Sequence, residues 1–286
     1  MKFPDSIVAI DTHVHISDEK ALSFKKRRNT QMEKHFGRER PAVSINEMAD
    51  MYRSKNMMAV LMNSIDRTVT GDAPLPNDYV AEIVHAHPDV FLGYGAIDPW
   101  EGKFAENEIR RCKELGLVGI GELNPARQNF EPHDHRFHNL WATASELNMI
   151  VLFHGGFAAS GAGTPGGMGI KLRYSNPIYL DDVAAEFPEL QIVCAHPSWP
   201  WEQEALAVAQ HKGNVFLDLS GWAPKYFSAE LVQHINSRIP GKVLFGTDWP
   251  LISVERWMEE FDELNLKSES RKKIMLENAK KLFANV

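Results

Sequence analysis

A chain of 286 residues, 44% hydrophobic and 24% charged, has ordinary globular composition and is long enough to bury a large core without covalent staples. A formal net charge of -7 with no sustained basic stripe argues against a nucleic-acid partner, and no apolar run reaches membrane-spanning length. Cys112 and Cys194 are too few for a disulfide framework and read as buried free thiols, so with no apolar signal core at Met1-Lys2-Phe3-Pro4-Asp5 the expected setting is a reducing cytoplasm.

The first apolar run, Ile7–Asp11, leads into His13-Val14-His15. A strand places alternate side chains on one face, so both imidazoles can point the same way, and two convergent histidines are half of a transition-metal site. Ser17–Val43 is long, polar and charged and reads as an irregular connection, with Lys25-Lys26-Arg27-Arg28 as a solvated loop. Ser44-x-x-Glu47 has the form of a capping box opening a helix towards Arg53. Strands are then expected at Met58–Asn63, Phe91–Ile97, Val118–Leu123, Ile150–His154, Ile192–His196, Val215–Leu219 and Val243–Asp248. Between them lie helical patterns at Asn77–His87, Glu106–Leu115, Asn139–Leu147, Leu180–Phe187 and Glu202–Gln210. His85-Ala86-His87 repeats the spacing of the first histidine pair, but on a helix end side chains two apart diverge, so it reads as surface. His133-Asp134-His135 with His138 reads as a solvated helix start, and Phe157–Ile170 as a Gly-rich loop.

Most strand candidates are continuous apolar stretches, the mark of parallel strands covered on both faces. Eight strand–helix repeats point to a closed (β/α)8 TIM barrel formed by one domain, residues 1–286; a doubly wound open sheet is the alternative, but the chain has no dinucleotide or phosphate-loop glycine fingerprint. In such a barrel the strand C-terminal ends share one mouth. His13, His15, Glu122, His154, His196 and Asp248 all fall at those ends and are expected to converge there. Ser17–Val43 and Phe157–Ile170 leave the same face as candidate substrate lids.

These residues carry a family resemblance. Asp11-Thr12-His13-Val14-His15, Gly121-Glu122-Leu123-Asn124-Pro125, Phe153-His154-Gly155-Gly156, Ala195-His196-Pro197 and Phe245-Gly246-Thr247-Asp248-Trp249-Pro250 resemble the amidohydrolase superfamily. The similarity is greatest to its amidohydrolase-related branch, which includes aminocarboxymuconate-semialdehyde decarboxylase, and it runs over nearly the whole chain in the family's order. The resemblance implies a distorted barrel of the metallo-dependent hydrolase type, a homodimer, and one divalent ion, zinc before manganese. It matches His13, His15, His154 and Asp248 to the ligand positions and His196 to the catalytic histidine of the second half. Glu122 stands where binuclear members carry a carboxylated lysine, so a lysine-bridged pair of ions is not expected and Glu122 is read as supporting the metal or facing the substrate.

The expected function is a hydrolase in which metal-activated water attacks an ester, lactone or amide carbonyl of a small molecule, with Asp248 and His196 moving protons. The alternative is a non-oxidative decarboxylase of an aromatic or muconate-type acid, and a third reading is a non-catalytic metal-binding barrel. A decarboxylase needs a cation for the substrate carboxylate, and Arg127, Lys171 and Arg173 are the candidates. Phe157, Trp199, Trp201, Trp222 and Trp249 are candidates to wall a pocket for a ring. With no evident carboxylate clamp in the sequence, hydrolysis is preferred.

Overall fold

Strands Ala9–His15 (β1), Met57–Met62 (β2), Phe91–Gly95 (β3), Gly119–Leu123 (β4), Ile150–His154 (β5), Ile192–Ala195 (β6), Val215–Asp218 (β7) and Val243–Leu244 (β8) pair in parallel, in chain order. The computed structural model describes residues 3–24, 26–37, 39–284 and 286. Of the basic cluster Lys25-Lys26-Arg27-Arg28, Lys25 and the side chains of the other three lie outside the described residues. No helix among the described residues is long and apolar enough to cross a membrane.

The strands are apolar on both faces because each face has its own core. Ile10, Met58, Val60, Leu152 and Val193 point into the barrel, where Leu282 and Phe283 of the last helix join them. Their neighbours Ala9, Ala59, Leu61, Val151 and Cys194 point outwards against the helices. This period-two division between two buried faces is what makes the runs continuous. Cys112 and Cys194 are both buried and free.

The barrel closes irregularly. β8 has two residues, and β1 shifts register between Asp11 and Val14. The seam is made instead by Thr12 N–H to the Phe245 carbonyl (2.9 Å), Asp248 N–H to that of His13 (2.9 Å) and His15 N–H to that of Trp249 (2.8 Å). The first strand therefore runs on to His15 rather than stopping at Asp11. The hydrophobic pattern breaks there because alternate side chains face the mouth, not because the backbone leaves the sheet.

The capping box at Ser44 is present in both directions and opens a helix over Ile45–Ser54. Ser17–Val43 is not the irregular connection its polar sequence suggests: two helices, Glu19–Phe24 and Lys26–Phe36, occupy much of it. The second is rich in Lys, Arg, Gln and Glu, good helix formers that leave no apolar stripe for a periodicity reading to find. The Gly-rich segment stays a loop with short 3-10 turns: Gly161, Gly163, Gly166, Gly167 and Gly169 all have φ between 57° and 81°. The two segments meet over the mouth, where Gly161 N–H donates to Gln31 Oε1 (3.0 Å).

Candidate active site

Strand period decides which side chains reach the mouth. Val14 packs outwards, so His13 and His15 turn inwards, with ring centroids 5.2 Å apart. The seam brings Asp248 across to them, its Oδ1 2.9 Å from His15 Nε2 and 3.9 Å from His13 Nε2. Ligand-capable atoms of His13, His15 and Asp248 lie within 4.8 Å of one another, and so do those of His13, Glu122 and His196. His13 belongs to both groups. His154 belongs to neither, but is bound to the second: its Nδ1 is 2.6 Å from Glu122 Oε1 and 3.0 Å from His196 Nε2. Glu122 thus stands among the metal-capable atoms rather than behind them.

The hydrogen bonds around this cluster fix its lone pairs. A carboxylate only accepts, so Asp218 Oδ2, 2.7 Å from His13 Nδ1, holds the proton on that nitrogen and leaves Nε2 facing the cluster. That Nε2 is buried with no hydrogen-bond partner among the described residues. His196 donates its Nδ1–H to the Ser220 carbonyl (3.0 Å), and His154 its Nε2–H to that of Phe157 (3.1 Å). In their neutral forms, Glu122 Oε1, His154 Nδ1 and His196 Nε2 then converge as lone pairs. Such a buried set calls for protons or a cation, and imidazole with carboxylate suits a borderline divalent ion. The residues therefore fit a metal.

Protonation within the cluster is uneven. Burial opposes charge on His13, but the Asp218 carboxylate outweighs it and pushes the ring up to about 10. Burial brings His15 down to about 4, only partly offset by Asp248. His154 is also lowered, by burial. Burial opposes charge on His196 too, but the Glu122 hydrogen bond together with the Asp248 and Glu122 charges raises its ring. Burial works against ionised Asp248 and Glu122, but the histidines around them prevail and hold both below the usual carboxylate range.

A cavity of about 580 Å³ opens above the cluster, lined by His15, Glu122, His154, His196 and Asp248. Arg127, Phe157 and Trp222 also line it, as the sequence reading expects. Lys171 and Arg173 do not: both are exposed, and the Arg173 guanidinium lies over the Tyr174 ring. Trp199 is 54% exposed and packs behind Phe157 and Trp222, while Trp249 is buried in the seam and Trp201 precedes a helix; none of the three lines the cavity. His85 and His87 lie away from the cavity, and so does the His133 to His138 cluster.

Arg40 is the cation that the sequence reading misses. It lines the cavity, and its buried Nε has no hydrogen-bond partner among the described residues. Burial lowers its guanidinium, with the Asp248 and Glu33 charges opposing. Arg127 lines the same space and its buried Nε and Nη2 likewise make no hydrogen bond among the described residues, but its Nε is 2.7 Å from Asp66 Oδ2, so its charge already has a carboxylate beside it. Asp218 is missed as well, although an acid inside the apolar run Val215–Leu219 is a usable signal: a buried charge needs a partner.

With fold and site in view, the amidohydrolase family pattern matches residues 10–284. The chain belongs to the amidohydrolase family. It is an enzyme of that metal-dependent superfamily. Over 280 residues this amidohydrolase is 23% identical to a gamma-resorcylate decarboxylase of Polaromonas sp. strain JS666, covering 82% of each chain. It superposes on an uncharacterised TIM-barrel protein from Bordetella bronchiseptica with a TM-score of 0.78 and 24% identity, over 97% of this chain and 98% of that one. The TM-score is 0.69, at 20% identity and 97% of each chain, for a dihydroxybenzoic acid decarboxylase of Polaromonas sp. JS666 solved with manganese and the inhibitor 2-nitroresorcinol.

The amidohydrolase holds His196 and Asp248 in left-handed backbone conformations, φ 69° and 61°, which ordinary side chains seldom adopt. Gly221 makes room for them. A Cβ there would lie 2.6 Å from His196 Nδ1 and 3.3 Å from Asp248 Oδ2, and its own φ of +75° disfavours any side chain. Gly221→Ala is expected to displace His196 and lower kcat/KM by about 100-fold. The far-ultraviolet circular dichroism should not change.

Proposed function

We propose that this amidohydrolase is a metal-dependent, non-oxidative decarboxylase of a hydroxylated aromatic acid. One observation carries the reading: the cavity over the metal-capable cluster is lined by Arg40, a half-buried cation whose own Nε is buried and has no hydrogen-bond partner among the described residues. A neutral ester, lactone or amide offers such a group only an uncharged carbonyl acceptor, whereas a substrate carboxylate matches it with stronger, charge-assisted hydrogen bonds. The aromatic walls Phe157 and Trp222 suit a planar ring. The gamma-resorcylate decarboxylase relative gives independent support, and hydrolysis becomes the second choice.

A divalent ion held by His13, His15, Glu122 and Asp248, with His154 and His196 beside it, would act as a Lewis acid on substrate oxygens. Manganese is the first ion to test, given the manganese in the dihydroxybenzoic acid decarboxylase, and zinc the second. The chain's own groups divide the proton work. Asp248, held below the usual carboxylate range, is the base for an ortho hydroxyl. His196, whose ring is raised, is the acid. It delivers a proton to the ring carbon that bears the carboxylate; the bond from that carbon to the carboxylate breaks, its electrons return to the ring, and carbon dioxide leaves. Asp248 returns the hydroxyl proton, and solvent re-protonates His196, so the net reaction consumes one proton.

The test is to incubate manganese-loaded enzyme with 2,6-dihydroxybenzoate and other hydroxybenzoates while measuring carbon dioxide, with an ester and lactone panel run in parallel under a pH indicator. Carbon dioxide formed in step with the decarboxylated phenol supports the reading; acid release from the second panel alone overturns it. Arg40→Met is expected to raise KM for the acid about 10- to 100-fold, the worth of a hydrogen bond to a charged group. An unchanged KM would remove Arg40 from the substrate's carboxylate.

A further inference from the structure

A second set of metal-ligating side chains lies outside the barrel mouth. We propose that His135, His138 and Glu186 form an outer site for a borderline transition ion such as zinc, one that ties together two connections of the barrel. His135 and His138 belong to the connection from β4 to β5, and Glu186 ends the helix Tyr179–Glu186 between β5 and β6. None of the three lines the cavity, so the site is independent of the decarboxylase reading.

The spacing fits an ion. His135 Nδ1 and His138 Nδ1 are 3.2 Å apart, and His138 Nδ1 is 3.1 Å from Glu186 Oε2. The three atoms all lie within 4.8 Å of one another. Around a tetrahedral zinc with bonds of about 2.0–2.1 Å, neighbouring ligand atoms are ~3.3 Å apart. Both separations made by His138 fall within about 0.2 Å of that value.

The hydrogen bonding fits as well. His138 Nε2 lies 3.2 Å from the His133 carbonyl, which can only accept, so that nitrogen carries a proton. A backbone carbonyl on the distal nitrogen is the usual support for a metal-binding imidazole. It leaves neutral His138 with a lone pair at Nδ1. The Glu186 carboxylate facing that atom also offers only lone pairs, so the contact needs either a second proton on His138, which would make an ion pair, or a cation. A cation shared by all three atoms satisfies every lone pair at once.

Packing orients His138 and the residue whose carbonyl supports it. The His133 ring stacks on Tyr179 with centroids 4.6 Å apart, and the His138 ring meets Phe187 edge-on at 5.5 Å. Two imidazoles and one carboxylate favour zinc, copper or nickel over magnesium or calcium, and the exposed His135 and Glu186 leave a position open for water.

Zinc uptake by the full-length protein, measured by equilibrium dialysis and elemental analysis, tests the proposal against His138→Ala and Glu186→Gln. The wild type is expected to bind one zinc ion per chain more than either variant, because both variants keep every residue of the mouth. Its thermal midpoint should rise with zinc at 100-fold excess over Kd by about 5 °C more than theirs. His87→Ala, which removes an unrelated surface histidine, should match the wild type in both measurements. Equal zinc uptake by the wild type and both variants overturns the outer site, whatever the enzyme's activity on aromatic acids.

Discussion

Asp248→Asn is expected to lower kcat by about 1,000-fold or more while leaving the barrel folded, the range for loss of a group that moves a proton in the transition state. The substitution is close to isosteric, and asparagine tolerates the left-handed conformation that Asp248 adopts at φ 61°. The backbone N–H that donates to the His13 carbonyl across the seam, at 2.9 Å, is untouched. What changes is chemical. The side chain no longer brings an anion within 2.9 Å of His15 Nε2, and it can no longer take a proton from a substrate hydroxyl. Metal content, turnover and melting temperature, measured on one preparation, separate the consequences. Unaltered turnover on the substrate that releases carbon dioxide would end the assignment of Asp248 as base.

The same preparation distinguishes the base from its partner. His196→Asn removes the proton donor but leaves Asp248 and His15 in place, so it should slow carbon dioxide release more than it lowers metal content. The two residues lie far apart in sequence and meet at the mouth, where the proposed reaction gives them opposite roles.

Much of this arrangement was legible in the sequence because parallel strands present polar side chains mainly where apolar packing ends. His13, His15, His154, His196 and Asp248 each interrupt or terminate an apolar run, and the barrel brings such positions to one mouth. What periodicity could not supply was direction beyond the strand ends. Lys171 and Arg173 follow the same strand as His154, yet the chain reaches them through six glycines at positive φ and leaves them in solvent. Arg40 looks like any other cation in a polar insertion, and only the fold of that insertion back over the mouth distinguishes it from its neighbours. The strand boundaries at the seam were obscured for a related reason: β8 is two residues long, and its pairing with β1 rests on scattered backbone contacts.

Those contacts depend on Asp11, and Asp11→Ala should destabilise the enzyme by about 4 kcal/mol or more, a fall in melting temperature of ~10 °C, since it leaves several buried donors unpaired. Its Oδ1 accepts from the backbone N–H groups of Thr247 (3.0 Å) and His13 (3.3 Å), and its Oδ2 from the hydroxyls of Thr247 (2.6 Å) and Tyr52 (2.8 Å). Burial pushes the carboxyl up to about 7 against these four donors. The two oxygens are not equivalent under substitution. The partners of Oδ2 are hydroxyls, which can rotate to accept, whereas those of Oδ1 are amides, which can only donate. Asp11→Asn can therefore keep its carbonyl on the amides and turn its NH2 to the hydroxyls, and it should lose much less stability than Asp11→Ala. Because Thr247 and His13 flank or form the catalytic cluster, Asp11→Ala should also loosen metal retention in whatever fraction stays folded. Equal melting temperatures for the two variants would show that packing, and not this hydrogen-bond network, holds the seam closed.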